Sequence, residues 1–214
     1  MDKDLEEIEK IYNVLASEWA KTFINEHQNK PKDHEILKRF SQMLNNRKPV
    51  WDFGCGIGNT TKYLKDLGLN ISGLDLSEEM LYQARLIHPN ICFKKGNILE
   101  LNFKNNSIAG IVSFYAIIHF TKEKVLKAIS EIFRVLKPNG IVLLTHHLGD
   151  KSIHLDEFLG KRVNLDFMLF TSDFITNCLI ECGFHNIEQI EREPYPSVEY
   201  ESRRAYTFAI KPSL

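Results

Sequence analysis

Val50-Trp51-Asp52-Phe53-Gly54-Cys55-Gly56-Ile57-Gly58-Asn59 sets an apolar run directly against three glycines on alternate positions. Val50 to Phe53 has the β-branched and aromatic character of a buried strand. Glycine takes a positive φ at no steric cost and lets backbone approach a ligand closely. A helical pattern begins at Asn59, so the turn opens a helix whose first N–H groups are free to meet an anion. A strand running through such a turn into a helix predicts a nucleotide-like ligand on an α/β sheet. The spacing is GxGxG preceded by Asp52, and it departs from the GxGxxG of dinucleotide sites because Asn59 follows Gly58.

Downstream, Ile71-Ser72-Gly73-Leu74-Asp75-Leu76 places a carboxylate at the end of the next apolar run. There an α/β nucleotide fold puts the acid that grips ribose hydroxyls. Further short apolar runs alternate with amphipathic segments, which predicts strands at 50–53, 70–75, 91–94, 108–114 and 141–146 and helices at 59–67, 77–87 and 122–137. Ser77 and Thr121 are the expected N-caps, and Pro138-Asn139-Gly140 the stop after the last of these helices. Such alternation predicts a parallel sheet covered on both faces, a doubly wound α/β fold.

Two helices precede the first strand, one from Leu5 to about His27 and one over Ile36 to Leu44, with Pro31 and the Asn45-Asn46-Arg47-Lys48-Pro49 cluster as breaks. Residues 150–171 read as an irregular insert, followed by a helix from Ser172 to Cys182 closed by Gly183. Two strands, 184–192 and 204–211, then form a closing antiparallel hairpin, with Arg204, Tyr206, Phe208 and Ile210 on one face. A length of 214 residues against a typical domain of about 150 fits a single domain, 1–214. It divides into N-terminal helices (1–45), a ligand-binding core (46–149), an insert (150–171) and a C-terminal helix and hairpin (172–214).

Lys and Arg number 27 and Asp and Glu 28, a formal charge of −1. A balanced chain without a basic stripe argues against a nonspecific nucleic-acid binder. The charged start Met1-Asp2-Lys3-Asp4-Leu5-Glu6-Glu7 and the absence of about eighteen consecutive apolar residues predict a cytoplasmic protein without membrane association. The four cysteines form no CxxC pair and are read as reduced, with Cys178 and Cys182 packing in a core.

Asp52-Phe53-Gly54-Cys55-Gly56-Ile57-Gly58 and Gly73-Leu74-Asp75-Leu76-Ser77-Glu78-Glu79-Met80-Leu81 resemble the first two motifs of class I S-adenosylmethionine-dependent methyltransferases. The resemblance continues through Gly96-Asn97-Ile98, Tyr115-Ala116-Ile117-Ile118-His119 and Phe133-Arg134-Val135-Leu136-Lys137-Pro138-Asn139-Gly140, and is strong over about 45–146. It implies a Rossmann-like, mostly parallel seven-stranded sheet of order 3-2-1-4-5-7-6 with the last strand antiparallel. S-adenosylmethionine is the implied cofactor and S-adenosylhomocysteine the product. Within that likeness Asp52 and Gly58 belong to the glycine motif, while Gly54, Cys55 and Gly56 line the methionine part. Asp75 binds the ribose hydroxyls, Leu76 and Met80 pack on adenine, and Asn97 and Ile98 meet its edge. The main chain of Tyr115 and Ala116 neighbours the amino group. Asn97 departs from the aspartate common at its position, although an amide both donates and accepts.

Methyl transfer is an in-line displacement, so positioning and exclusion of water carry most of the catalysis, and a base is optional. His119 is the candidate base. Tyr12 and Trp19 on the first helix, Phe167 in the insert, His146 and Arg204 are candidate acceptor-binding residues. The N-terminal helices and the insert are the expected lids over a soluble small molecule methylated on O or N. Of His146 and His147, at most one faces the site, because neighbouring strand residues point oppositely. Arg203 and Arg204 are read either as acceptor-binding or as solvated partners of nearby glutamates. His146, His147, His154, Asp156 and Glu157 lack metal-ligand spacing, so no metal is expected. Ser113-Phe114-Tyr115-Ala116 differs from the Asn-Pro-Pro-Tyr of enzymes that methylate a flipped base, which again disfavours nucleic acid. The expected assembly is a monomer or homodimer. The alternatives are an NAD(P)-binding Rossmann oxidoreductase and a noncatalytic partner-binding protein of the same fold.

Overall fold

The computed structural model describes residues 3–213; Met1, Asp2 and Leu214, which the single-domain reading includes, lie outside the described residues. Helices α1 (Lys3–Phe23) and α2 (Pro31–Leu44) come first, joined by a short 3₁₀ turn, Glu26–Asn29. Pro31 sits in the first turn of α2, where its missing N–H is no loss. The alternating part follows as β1 (Val50–Phe53), α3 (Asn59–Asp66), β2 (Ile71–Asp75), α4 (Glu78–Ile87), β3 (Phe93–Lys95), β4 (Ile108–Phe114), α5 (Lys122–Val135) and β5 (Leu136–His147). Then come β6 (Ser152–Phe158), β7 (Lys161–Met168), α6 (Ser172–Glu181), β8 (His185–Arg192) and β9 (Arg204–Ile210).

Seven strands form one sheet in the order β3-β2-β1-β4-β5-β9-β8. Because β6 and β7 lie outside this sheet, β8 and β9 are its sixth and seventh strands, and the order is the expected 3-2-1-4-5-7-6. The first five strands pair in parallel, and β9 runs antiparallel to both β5 and β8. The order reverses direction between β1 and β4, and the crevice at the carboxyl ends of those strands is where such sheets bind ligands. β1 is buried on both faces, as a central parallel strand requires. One side of the sheet packs Ile129, Ile132, Val135 and Leu179 from α5 and α6; the other packs Ile36, Leu37, Phe40 and Leu44 from α2.

The hydroxyls of Ser77 and Thr121 accept from the N–H groups of Met80 and Lys124, as N-caps do. Gly183 closes α6 with φ +94°. Helix α5 ends at Val135, two residues before the expected boundary, and Pro138-Asn139-Gly140 lies inside the span of β5. There the register skips, Ile108 pairing with Leu136 and Gly110 with Ile141, so the turn residues form a bulge with Asn139 in the left-handed region.

The insert is not irregular. β6 and β7 form an antiparallel hairpin, and Leu159-Gly160 between them both have positive φ, the geometry of a two-residue hairpin turn. One face of the hairpin carries Ile153, Leu155, Leu165 and Phe167, and His154 stands on the exposed face bonded to Asp156 and Asp166. No described helix is long and apolar enough to cross a membrane.

Candidate active site

The turn after β1 is held by the Leu74 carbonyl, which accepts from the N–H groups of Gly54 (2.7 Å) and Cys55 (3.1 Å). Gly54 has φ +75°, and a Cβ there would stand 2.2 Å from the Cβ of Ala116, so only glycine fits between β1 and the end of β4. Gly56 (φ +52°) faces open space, and its N–H donates to Asp75 Oδ2 at 2.8 Å. Asp75 Oδ1 accepts from the Ser77 N–H at 2.9 Å. Two residues apart in a turn, Gly54 is fixed by close packing while Gly56 lines a cavity.

That cavity has a volume of about 770 Å³ and runs beneath α1 and the β6–β7 hairpin. Asp52, Gly54, Cys55, Gly56, Asp75, Leu76, Met80, Asn97, Ile98, Tyr115 and Ala116 line it, and so do Tyr12, Trp19, His119, Phe167 and Arg204. Two residues singled out from sequence do not. Gly58 (φ +85°) caps α3 and presses against Phe93, so it shapes the turn from outside the cavity. His146 is fully buried off the cavity, with neither ring nitrogen partnered among the described residues, because the strand alternation turns it away; its neighbour His147 lines the cavity instead.

Asp52 is 1% exposed; its Oδ2 accepts from the Thr61 hydroxyl at 2.6 Å, and its Oδ1 has no partner among the described residues. Burial, with the Asp75 charge adding to it, pushes the Asp52 carboxyl up to about 7. Burial also raises Asp75, against the backbone N–H bonds that favour its charged form. The turn end of the cavity is thus two desolvated acids facing space.

Helix α1 forms the roof. Asn13 Oδ1 accepts from the Ser77 hydroxyl at 2.7 Å, which fastens α1 to the start of α4. On the preceding residue, Tyr12 Oη lies 2.7 Å from His119 Nε2, and His119 Nδ1 lies 3.1 Å from the Asp166 carbonyl on β7. A carbonyl only accepts, so Nδ1 carries the hydrogen and the bare Nε2 accepts from the tyrosine. Burial holds the imidazole down at about 4, hence neutral, and raises the Tyr12 hydroxyl far above its usual range, so it keeps its proton. Trp19, Phe23 and Phe158 pack ring on ring, with centroids 4.8 to 6.4 Å apart, and join α1 to the hairpin.

Another part of the cavity is polar and includes Lys30, before α2, and Glu199, in the loop before β9. Sequence reasoning passed over Lys30; it offered Glu199 only as one of the solvated glutamate partners of Arg203 and Arg204, and Glu199 is buried beside Arg204 instead. Nothing in the local sequence marks Lys30, since it meets Glu199 only in the folded chain. Of the two consecutive arginines, Arg203 is exposed and paired with Glu191 and Glu193, and Arg204 is 3% exposed and lines the cavity.

The fit to S-adenosylmethionine rests on the turn end. Asp52, buried, and Asp75, half-buried, have unused acceptor capacity and no cationic partner among the described residues, and call for a ligand that brings hydroxyls and positive charge. Leu76, Met80 and Ile98 add an apolar wall for a flat ring. Residues 50–140 match the family model described as a methyltransferase domain. Among curated relatives, an uncharacterized methyltransferase of Oceanobacillus iheyensis is 28% identical over 192 residues, covering 86% of this chain and 82% of the relative. The phosphoethanolamine N-methyltransferase of Plasmodium falciparum is 28% identical over 157 residues, 71% of this chain and 59% of that enzyme. The chain spans less than two thirds of the length of several relatives it matches. A crystal structure of an S-adenosylmethionine-dependent methyltransferase from Methanosarcina mazei superposes with a TM-score of 0.70 at 19% identity, covering 79% of this chain and 96% of that one. The matched domain, the sheet order and the acid-lined glycine turn agree, and they make this part of the chain similar to class I S-adenosylmethionine-dependent methyltransferases.

Proposed function

We propose that this protein methylates an oxygen or nitrogen atom of a small acceptor, enclosed with the cofactor in the cavity beneath α1 and the hairpin. The observation that carries the reading is the Tyr12–His119 pair, which stands in the same cavity as the glycine turn and Asp75. S-adenosylmethionine, when bound, supplies an electrophilic methyl group on a sulfonium. In this reading Gly54, Cys55, Gly56 and Asp52 hold its amino-acid part, Asp75 its ribose, and Leu76, Met80, Asn97 and Ile98 its adenine. A volume of about 770 Å³ falls within the roughly 300–1,000 Å³ of small-molecule sites. Residues 1–45 and 150–171 act as lids that keep water from the reacting atoms.

Proton handling falls to the pair. An acceptor hydroxyl set against Tyr12 Oη gives its proton to that oxygen as the tyrosine's own hydrogen moves onto His119 Nε2, and the Asp166 carbonyl holds the ring in the tautomer that receives it; an amine acceptor reacts as the free base and needs no such transfer. A hydroxyl acceptor becomes a strong acid as its oxygen takes the methyl group, so a base held at about 4 suffices to remove the proton. The test is formation of S-adenosylhomocysteine from a panel of small hydroxyl and amine acceptors. Tyr12→Phe and His119→Gln should each lower turnover of a hydroxyl acceptor about a hundredfold, the lower end of what a positioned acid or base contributes, with little change in cofactor affinity. Unchanged turnover in both variants would reduce the pair to packing.

A further inference from the structure

The end of the cavity opposite Asp75 gathers hydrogen-bond donors. Lys30 and Arg204 line it with side chains 7% and 3% exposed. Arg204 gives its guanidinium to the Ser202 hydroxyl and to the Ser202 and Tyr200 carbonyls. Ser202 Oγ, which accepts from that arginine, also lies 2.7 Å from His147 Nδ1; in the tautomer where the serine donates to Nδ1, the Nε2–H of this cavity-lining residue is a free donor. Tyr115 contributes a fourth donor, a buried hydroxyl with no partner among the described residues. Its ring lies near the His147 ring (centroids 5.1 Å apart) and the Arg204 guanidinium (5.7 Å), and its backbone is left-handed at φ +56°. A non-glycine residue held in that region next to a cavity is the kind of strain that folds retain at binding sites.

Arg192, which does not line the cavity, engages most of the buried acid charge around this set. Three buried cations, Lys30, Arg192 and Arg204, face two buried carboxylates, Asp33 and Glu199. Arg192 contacts both of them, Glu199 through two nitrogens. Glu199 Oε2 is 3.7 Å from Lys30 and 3.6 Å from Arg204. Lys30 also donates to Glu26 at 2.6 Å, whose side chain is 30% exposed and lines the cavity. Burial and the Arg204 charge hold His147 down at about 3, so it stays neutral and donates through one nitrogen.

The geometry points to an anion subsite in which Lys30, Arg204, Tyr115 and His147 hold a carboxylate or phosphate group of the methyl acceptor. It deepens the methyl-transfer reading and rests on it for the assignment of this end of the cavity to the acceptor. It also makes the acceptor a two-ended molecule, with its anion at this pole and its reacting atom toward Tyr12.

The experiment is calorimetric titration of the full chain with inorganic phosphate and, separately, acetate, at constant ionic strength made up with chloride, in the presence and absence of S-adenosylhomocysteine. Saturable binding of at least one anion is expected, and the stronger of the two tells which group the acceptor carries. Lys30→Gln and the isosteric Tyr115→Phe should each weaken that binding about tenfold, with melting temperatures checked to show that both fold. No heat beyond the chloride control from either anion, or undiminished binding in both variants, overturns the subsite. Wild-type protein that takes up S-adenosylhomocysteine but neither anion removes this inference alone. Protein that binds the anion but not S-adenosylhomocysteine removes the methyl-transfer reading and leaves the anion site standing.

Discussion

The two ends of the cavity are built in opposite ways. The Asp75 end is made by backbone: one turn and one strand end, close in sequence, with glycines that bring main chain to the cavity wall and a carboxylate pinned by two N–H groups. The Lys30 end is made by side chains from four segments, the 3₁₀ turn before α2, the ends of β4 and β5, and the loop into β9. The first is a buried and a half-buried acid without a cationic partner among the described residues; the second is a cationic corner whose buried carboxylates are mostly claimed by Arg192. A site of this kind separates a fixed reagent, gripped by main chain, from a variable one, gripped by side chains that can be exchanged without disturbing the sheet.

The largest effect that would break the contrast is at Gly54. Gly54→Ala sets a Cβ against Ala116 in a left-handed backbone and should destabilise the protein by about 3 kcal/mol, from overpacking together with strain. Gly56→Ala, with the same sign of φ but open space beside it, should lose about 1 kcal/mol. Thermal melts of the two variants compare them directly, and equal losses would mean that φ alone, not close packing, decides the turn.

A second test separates the ends by pH. Asp52 titrates near 7 in the fold against an ordinary value of 3.8. Its contribution to stability is therefore fully present below about 4 and is lost as pH rises through about 7. A bound ammonium favours the ionised form, so affinity for S-adenosylhomocysteine should rise between pH 6 and 8. Asp52→Asn should flatten the rise, and a wild-type profile already flat would remove Asp52 from the site. The smallest effect belongs to the roof. Phe158→Ala removes the ring that packs on Trp19 and Phe23, and should raise the acceptor KM severalfold while cofactor affinity holds. A matching loss of cofactor affinity would show that the hairpin also supports the Asp75 end.

The same contrast explains what the sequence disclosed. A strand, a glycine turn and an acid at the next strand end are local patterns, and the parallel sheet, the caps at Ser77 and Thr121 and the wall of the Asp75 end were legible from them. The β6–β7 hairpin was not, because most of its surface is solvated and a register shift between Leu155 and Glu157 breaks its alternation; Leu159-Gly160 was the available turn signal. For His146 and His147, alternation limited the choice to one but gave no phase, and the side of β5 that faces the cavity follows only from how β5 sits between β4 and β9. Lys30 carried no signal, and Glu199 only that of a glutamate near two arginines, since their meeting depends on the turn before α2 and the β8–β9 loop converging.

The central claim is that the acid-lined glycine turn holds the cofactor. Its most direct test is calorimetric titration of S-adenosylhomocysteine into the wild-type chain and Asp75→Ala. Removing a charged acceptor from a desolvated pocket forfeits roughly 1.5–3 kcal/mol, so one-site binding to the wild type should weaken tenfold or more in the variant. Equal affinity in the two proteins, or no binding to the wild type, would contradict it.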